Sequence, residues 1–298
     1  MPPAEPLHSA PRRMTSPTVP LPAGAWDTHA HVFGPFDRYP VAADSRYQPP
    51  LAPREAHAAM LAAAGFSRAV LVHASANGYD NRGTLDAVQA DPTRLRAVAV
   101  VPEDTPDAEF RRLHDAGVRG LRFTENGEHI GAPAPPGTLG LDALRRLAPR
   151  LREMGWHAQV WAKCAHLATS RPWLAACGLP LVIDHMGTFD VTRGVDGEAF
   201  QSLLGLVERG TTWVKLTPLR VSQRRWLDCG DVRPFHDALL QRAPDRALFG
   251  SDWPYIALDK DLPDVGRQID LFDAWTGDAA LRQKVFVANP QALYDFPP

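Results

Sequence analysis

The sequence has few cysteines, little net charge and no long apolar run. Its 298 residues include 3 cysteines, Cys164, Cys177 and Cys229, and no two of them form a C-x-x-C pair. This odd number argues against a disulfide framework and a thiolate zinc site, and it favours a reducing compartment, which we take to be the cytoplasm. The net charge of −2 argues against a nucleic-acid-binding protein, which usually carries excess basic residues. No apolar run approaches the ~18 residues of a membrane span, so no membrane partner is expected.

Proline, in contrast, is abundant, and its distribution is uneven. Seven of the 29 prolines lie in the first 24 residues, which show almost no apolar periodicity. No apolar stretch follows Arg12 and Arg13, so this segment does not resemble a signal peptide. The composition predicts a disordered N-terminal arm over residues 1–24 and a single domain over residues 25–298. An arm that docks on a neighbouring subunit is the alternative, and the sequence leaves a monomer or a homo-oligomer open.

From residue 25 onward, short runs rich in Val, Leu and Ile alternate with stretches of helical length. The predicted strands cover residues 26–32, 69–73, 95–101, 118–123, 157–162, 181–185, 213–216 and 247–250. The predicted helices cover residues 54–64, 84–90, 107–116, 141–154, 167–177, 198–208, 232–242 and 265–275. Eight apolar strands alternating with helices predict an α/β fold, a single-domain (β/α)₈ TIM barrel. An open doubly wound sheet is the alternative, but no G-x-G-x-x-G follows the first strand.

Candidate catalytic residues lie where predicted strands end, which in a barrel is the location of the active site. His29 and His31 end the first strand, and their spacing of two directs both to one side of it. His185 follows the sixth strand, and Asp252 follows the eighth. Because strand eight pairs with strand one in a closed barrel, Asp252 is expected beside the two histidines. Each residue alone has ordinary structural explanations, such as a turn or a satisfied core histidine. Their joint position is much more specific.

This residue set supports two chemistries. An aspartate with an ordinary pKa of about 3.9 is ionised at neutral pH and can accept a proton from water. Histidines around a lactone carbonyl can donate hydrogen bonds as negative charge develops on its oxygen. No cofactor is then strictly required. His29, His31, His185 and Asp252 could instead hold one Zn²⁺ or Mn²⁺, which would lower the pKa of bound water. A two-metal site is disfavoured, since the seventh strand offers Lys215 and no histidine.

Several segments together resemble the amidohydrolase superfamily, and within it the group of 2-pyrone-4,6-dicarboxylate lactonases and related sugar-lactone hydrolases. The resemblance extends from residue 25 to residue 296. The motifs that carry it are Asp-Thr-His-Ala-His-Val-Phe-Gly-Pro at 27–35, Arg-Tyr-Gln-Pro-Pro at 46–50, Gly-Trp-His at 155–157, Asp-His-Met-Gly at 184–187, Gly-Ser-Asp-Trp-Pro at 250–254, and Asn-Pro at 289–290 with Leu-Tyr at 293–294.

The resemblance implies a role for each matching residue. Asp252 matches the general base that activates water for attack on a lactone carbonyl. His29, His31 and His185 match the histidines that polarise this carbonyl and hold the water. The implied substrate-contacting residues are Tyr47, Ser75, Asn77, Arg122 and Arg220, and the two arginines match residues that bind substrate carboxylates.

Three departures from the group's pattern bear on the substrate. An acidic segment ending in Glu128 stands where the pyrone lactonases have a second arginine. Trp161 replaces a tyrosine that faces the substrate and is itself expected to contact the substrate, and His73 replaces a glutamine at the end of the second strand. The loss of one bidentate carboxylate clamp favours a monocarboxylate or a more apolar lactone over a small dicarboxylate.

The expected partner is therefore a small anionic lactone or carboxylate. Two other activities remain open on the same residues. A mononuclear-metal decarboxylase would use His29, His31, His185 and Asp252 as ligands, and a lactone isomerase would move the acyl bond without net hydrolysis. A non-catalytic binding barrel is a third possibility, against which the intact polar set argues.

Overall fold

The computed structural model describes residues 11, 13–125, 127, 130, 134–224, 228–258 and 262–294. Eight parallel strands form one sheet in sequence order. They are β1 (Trp26–Ala30), β2 (Arg68–Val72), β3 (Leu95–Ala99), β4 (Val118–Glu125), β5 (His157–Ala162), β6 (Leu181–Ile183), β7 (Thr212–Leu216) and β8 (Ala247–Phe249).

The ends of the sheet meet, so the barrel is nearly closed. Ala30 forms a parallel bridge with Trp253, and the backbone N–H of His31 donates to the Trp253 carbonyl at 2.8 Å. The hydroxyl of Thr28 donates to the Phe249 carbonyl at 2.7 Å. These contacts confirm the predicted barrel and place the ends of β1 and β8 side by side.

Helices connect the strands and cover the outside of the barrel. They are α1 (Arg54–Ala64), α2 (Arg82–Ala90), α3 (Asp107–Asp115), α4 (Leu141–Glu153), α5 (Cys164–Ala176), α6 (Glu198–Val207), α7 (Arg233–Arg242), α8 (Val265–Thr276), α9 (Ala279–Gln283) and α10 (Asn289–Tyr294). The helix α4 shows why the helices could be predicted from apolar spacing. Its residues Leu144, Leu147 and Leu151 recur at helical spacing and are buried. Within the described residues, no helix is long and apolar enough to cross a bilayer.

The predicted strands and helices agree with the observed ones to within a few residues. The sixth strand was predicted to reach His185, but it ends at Ile183. The chain turns there because His185 and Met186 adopt left-handed backbone angles, with φ of 50° and 54°. The fourth strand is longer than predicted and continues to Glu125.

The interior of the barrel has its own apolar cluster, separate from the larger core between sheet and helices. Val70 and Val72 of β2 belong to the interior cluster, whereas Ala69 and Leu71 of the same strand pack toward the helices. This alternation is the period of two expected for a strand. The ring of Trp26 stacks on Tyr294 at 5.9 Å and fills the end of the barrel where the strands begin.

Part of the N-terminal segment lies against α8. The hydroxyl of Thr15 donates to Asp264 at 2.5 Å, and the backbone N–H of Thr18 donates to Asp270 at 2.6 Å. Met14 is buried in the core. Residues 1–10 and 12 lie outside the described part of the chain. The disordered arm over residues 1–24, and the domain boundary after it, stay predictions.

Candidate active site

The end of β1 brings His29 and His31 to the mouth of the barrel. Both side chains are buried, and their ring centroids lie 5.0 Å apart. The Nε2 atom of each lies 3.6 Å from Oδ1 of Asp252. The expected meeting of the two histidines with this carboxylate is therefore present in the structure.

Asp252 and His185 both stand on strained backbone. Their φ angles are 58° and 50°, in the left-handed region that costs a non-glycine residue about 1–3 kcal/mol. The turn also depends on Gly250, where an added Cβ would lie 2.8 Å from Cβ of His29. Any side chain at position 250 would therefore push β8 away from β1. The sharp turn directs the Asp252 carboxylate toward the axis of the barrel.

Asp27, on β1, holds the turn that carries Asp252 in place through hydrogen bonds. Its carboxylate accepts hydrogen bonds from the backbone N–H of Ser251 at 2.8 Å, from the Ser251 hydroxyl at 2.5 Å, and from the N–H of His29 at 3.1 Å. Burial raises the pKa of Asp27 to about 6, although these hydrogen bonds oppose the shift. The sequence motif contains Asp27, but no role for it was predicted.

The charge on Asp252 is stabilised by its neighbours. Burial raises its pKa, but the Arg220 guanidinium and the nearby histidines outweigh burial and hold the pKa well below its usual range. Arg220 Nε donates to Oδ2 of Asp252, and Arg220 Nη1 donates to the Ile256 carbonyl at 2.6 Å. Asp252 is therefore an ionised carboxylate at neutral pH.

His185 and His29 are neutral at physiological pH. Burial lowers the pKa of His185 to about 4, and burial together with Lys215 lowers that of His29 well below its usual value. His31 Nδ1 lies 2.7 Å from the Val72 carbonyl. Because a carbonyl only accepts, Nδ1 of His31 carries a proton, and in the neutral form of this ring Nε2 is the acceptor nitrogen. His185 Nδ1 lies 3.2 Å from the Thr217 hydroxyl.

A buried polar network lies against the Nδ1 side of the His29 ring. The sequence analysis gave no role to Asp184, Gln159 or Lys215, which belong to this network. Asp184 accepts from Arg122 Nε at 3.2 Å and from Gln159 Nε2 at 3.1 Å. Lys215 donates to Gln159 Oε1 at 2.8 Å and lies 3.4 Å from Asp184 Oδ1. The available signal was a single polar residue inside an apolar strand, as in Thr-Trp-Val-Lys-Leu at 212–216. Burial lowers the pKa of Lys215 to about 8, opposed by Asp184, so the ammonium is charged at neutral pH.

A cavity of about 550 Å³ opens above Asp252. Among the predicted substrate-contacting residues, those that line it are Tyr47, Ser75, Arg122, Trp161 and Arg220. Asn77 lies in the turn after β2 and does not line the cavity. Residues at the cavity that sequence reasoning missed include Arg46, Thr124, Thr138 and Thr188.

An indole forms one wall of this cavity. The Trp161 ring stands edge-on to His185 with centroids 5.9 Å apart, and the Arg122 guanidinium lies 5.3 Å from the Trp161 centroid. Arg122 thus contacts both the cavity wall and Asp184. Its Nη1 also donates to the His73 carbonyl at 3.3 Å.

The acidic segment after β4 is only partly described. Glu125 is buried and accepts from the backbone N–H of Leu141 at 3.2 Å, at the start of α4. It therefore holds a helix end. Glu128 lies outside the described residues.

Among the described residues, two groups of side chains have the spacing to hold a metal ion. One consists of His29, His31 and Asp252, and the other of His29, Asp184 and His185; within each, the ligand atoms lie within 4.8 Å of one another. The four residues predicted as ligands are thus divided between the two groups, with His29 shared.

Comparison with known proteins gives a consistent result. Residues 26–296 match the family model for Amidohydrolase. The chain is 36% identical over 289 residues to a 2-pyrone-4,6-dicarboxylate hydrolase from Comamonas testosteroni, covering 94% of this chain and 93% of that one. It is 35% identical over 292 residues to a 4-sulfomuconolactone hydrolase from Rhizobium radiobacter, covering 97% and 96%.

A solved structure shows the same architecture. It is a probable 2-pyrone-4,6-dicarboxylic acid hydrolase from Acinetobacter baumannii with citric acid bound. The two folds superpose with a TM-score of 0.78 at 25% identity, over 92% of this chain and 100% of the other.

Proposed function

Because the chain belongs to the amidohydrolase family, we propose that this hydrolase opens the ring ester of a small anionic lactone. The observation that carries the proposal is the position of the Asp252 carboxylate, 3.6 Å from Nε2 of both His29 and His31 and at the floor of a cavity that arginines line. The two relatives described above, at 36% and 35% identity, are hydrolases of anionic lactones.

In this proposal Asp252 is the general base. It accepts a proton from a water molecule that attacks the lactone carbonyl, and the water oxygen bonds to the carbonyl carbon. His29, His31 and His185 surround the carbonyl oxygen and the water, where neutral imidazoles donate or accept hydrogen bonds as charge develops. The ring C–O bond then breaks, and the alkoxide or enolate leaving group takes up the proton that Asp252 accepted from the water. The new carboxylic acid ionises at neutral pH and releases one proton to solvent.

The arginines suit an anionic substituent of the substrate. Arg220 lies at the cavity mouth and is bound to Asp252, so a substrate carboxylate beside it would compete with the base for the guanidinium. Arg122 is already engaged with Asp184. This arrangement supports a substrate with one carboxylate near Arg220 and an apolar ring face against Trp161.

One divalent cation such as Zn²⁺ or Mn²⁺ fits the group formed by His29, His31 and Asp252. The buried Nε2 of His29 has no hydrogen-bond partner among the described residues, and His31 presents a lone pair on Nε2. A bound cation would lower the pKa of a coordinated water and polarise the carbonyl. The other group, with Asp184 and His185, fits a cation poorly, because the Lys215 ammonium lies 3.4 Å from Asp184 Oδ1.

The test is proton release on a panel of pyrone dicarboxylates, muconolactones and aldonolactones, measured with chelator present. We expect turnover by the wild type and by Asp44→Asn, an exposed control near the mouth, and loss of turnover by Asp252→Asn. The proposal would be overturned if the wild type released no protons from any lactone of the panel, both with chelator and after Zn²⁺ or Mn²⁺ is restored. Carbon dioxide release from a carboxylated substrate would then indicate a decarboxylase, and a rearranged lactone without proton release would indicate an isomerase.

A further inference from the structure

The inner edge of the His29 ring faces two polar side chains that require different protonation of the same atom. Nδ1 of His29 lies 3.3 Å from Lys215 Nζ and 3.2 Å from Asp184 Oδ1. A neutral imidazole has one N–H and one acceptor nitrogen. If Nδ1 carries the proton it can donate to Asp184, and if Nδ1 is bare it can accept from Lys215.

The geometry favours Lys215 as the partner. The approach of Lys215 Nζ to His29 Nδ1 has the angles of a hydrogen bond, and an ammonium has only donors. In the described part of the chain, Oδ1 of Asp184 accepts no hydrogen bond with acceptable geometry, despite its proximity to Nδ1. The hydrogen bonds to Asp184 from Arg122 and Gln159 reach its other oxygen, Oδ2.

Lys215 itself is held firmly. It is completely buried on β7, and its ammonium donates to Gln159 Oε1 at 2.8 Å. Gln159 lies on β5 and also donates to Asp184. The ammonium is therefore placed by residues of β5 and β7 and by Asp184, directly after β6, rather than by a mobile loop.

From this geometry we propose that Lys215 is a positioning residue that holds the His29 proton on Nε2, so that His29 donates to the reacting carbonyl oxygen. The neutral form of His31 has the opposite arrangement, since its Nδ1 donates to the Val72 carbonyl at 2.7 Å and its Nε2 is then the acceptor nitrogen. One histidine of the pair then stabilises the oxyanion, while the other accepts a hydrogen bond from the attacking water. The role as a donor to the carbonyl rests on the proposed lactone hydrolysis, but the tautomer does not.

The same arrangement weakens, but does not prevent, binding of the cation that the group of His29, His31 and Asp252 could hold. A metal ligand needs a bare nitrogen, so a proton on His29 Nε2 must move to Nδ1 before a cation can bind there. Such a move breaks the contact with Lys215 and places Nδ1–H toward Asp184. Loss of Lys215 should therefore strengthen metal binding by the group of His29, His31 and Asp252, which Lys215 contacts only at Nδ1 of His29.

The experiment is long-range ¹⁵N NMR of the histidine rings in the metal-free full chain, with His29 assigned from a His29→Gln variant. We expect Nε2–H in the wild type and Nδ1–H in Lys215→Met. Equilibrium dialysis with Zn²⁺ alone should show at least tenfold tighter binding by Lys215→Met than by the wild type.

Asp184→Asn is the matched control, because it removes the competing carboxylate and keeps Lys215. It should retain Nε2–H and gain no Zn²⁺ affinity. A wild-type spectrum with Nδ1–H would overturn the inference, and this spectrum needs no variant to fold. Unchanged tautomer and Zn²⁺ affinity in a folded Lys215→Met would also overturn it. Neither readout uses a lactone, so failure of the lactonase proposal is recognised separately.

Discussion

The two ends of the barrel interior are buried to the same degree but differ in chemistry. Where the strands begin, Trp26 and Tyr294 stack within an apolar cluster. Where they end, His29, Asp184 and Lys215 are just as inaccessible to water. Burial of apolar surface stabilises a fold, whereas burial of charge costs free energy unless each group is paired. The end where the strands begin therefore stabilises the fold. The end where the strands stop holds charged groups together at a cost in free energy, which the apolar end offsets.

The backbone shows the same difference. Among the described residues, the six non-glycine residues with positive φ lie in the loops that follow β6 and β8, at positions 185, 186, 188, 252, 255 and 257. At helix ends such as Gly65, with φ of 86°, the left-handed conformation falls on glycine, which adopts it without strain. Strain is therefore concentrated at the catalytic mouth.

The largest expected effect is on catalysis, from Asp252→Asn. Asparagine cannot accept a proton from water, so kcat/KM should fall about 10³-fold. The free energy of unfolding should also fall, because the fold stabilises the Asp252 charge through Arg220 and an amide lacks that charge, although asparagine tolerates left-handed backbone. Steady-state kinetics and urea denaturation measure the two quantities. Retained activity would exclude Asp252 as the base.

The second effect is on stability, from Trp26→Ala at the other end. Removal of a fully buried indole should lower the free energy of unfolding by about 3–4 kcal/mol. The kcat of the folded fraction should stay near the wild-type value, because the indole is remote from Asp252. Urea denaturation and active-site-normalised kinetics test this separation, and a large fall in kcat would contradict the independence of the two ends.

The third change, Arg220→Met, tests the electrostatics of the mouth. Loss of a charge-assisted contact to a substrate carboxylate should raise KM by about 30-fold. Because the guanidinium lowers the pKa of Asp252, its removal should raise that pKa. The acid limb of the kcat/KM profile should then move to higher pH. An unmoved limb with raised KM would leave Arg220 as a binding residue only.

The last prediction concerns His157, which is buried near Tyr294 with ring centroids 5.3 Å apart. Burial lowers its pKa from 6.5 to about 3, so below pH 6.5 the unfolded chain binds a proton that the native state excludes. This residue's contribution to stability is therefore present above pH 6.5 and lost as the pH falls, by about 1.4 kcal/mol per unit. His157→Gln should reduce the loss of stability between pH 6.5 and 4.5, as measured by urea denaturation.

Much of the fold was predictable because its signals are local. The strand Leu181–Ile183 and the helix Arg54–Ala64 are recognisable from short apolar runs and helical spacing. Closure of the barrel then followed from the count of eight strand–helix pairs. Closure in turn brought Asp252 to His29 and His31 across more than 200 residues of sequence.

The order and identity of the elements, and the polar residues that end them, were determined by the sequence itself, since hydrophobic periodicity is local along the chain. The contacts of Lys215 with His29, of Asp27 with Ser251, and of Arg220 with Asp252 were decided only by the tertiary structure. They depend on strand register and side-chain rotamers, which determine whether two buried polar atoms lie 3 Å or 6 Å apart. Periodicity says which face a residue lies on, and packing of the whole barrel decides which partner it contacts there.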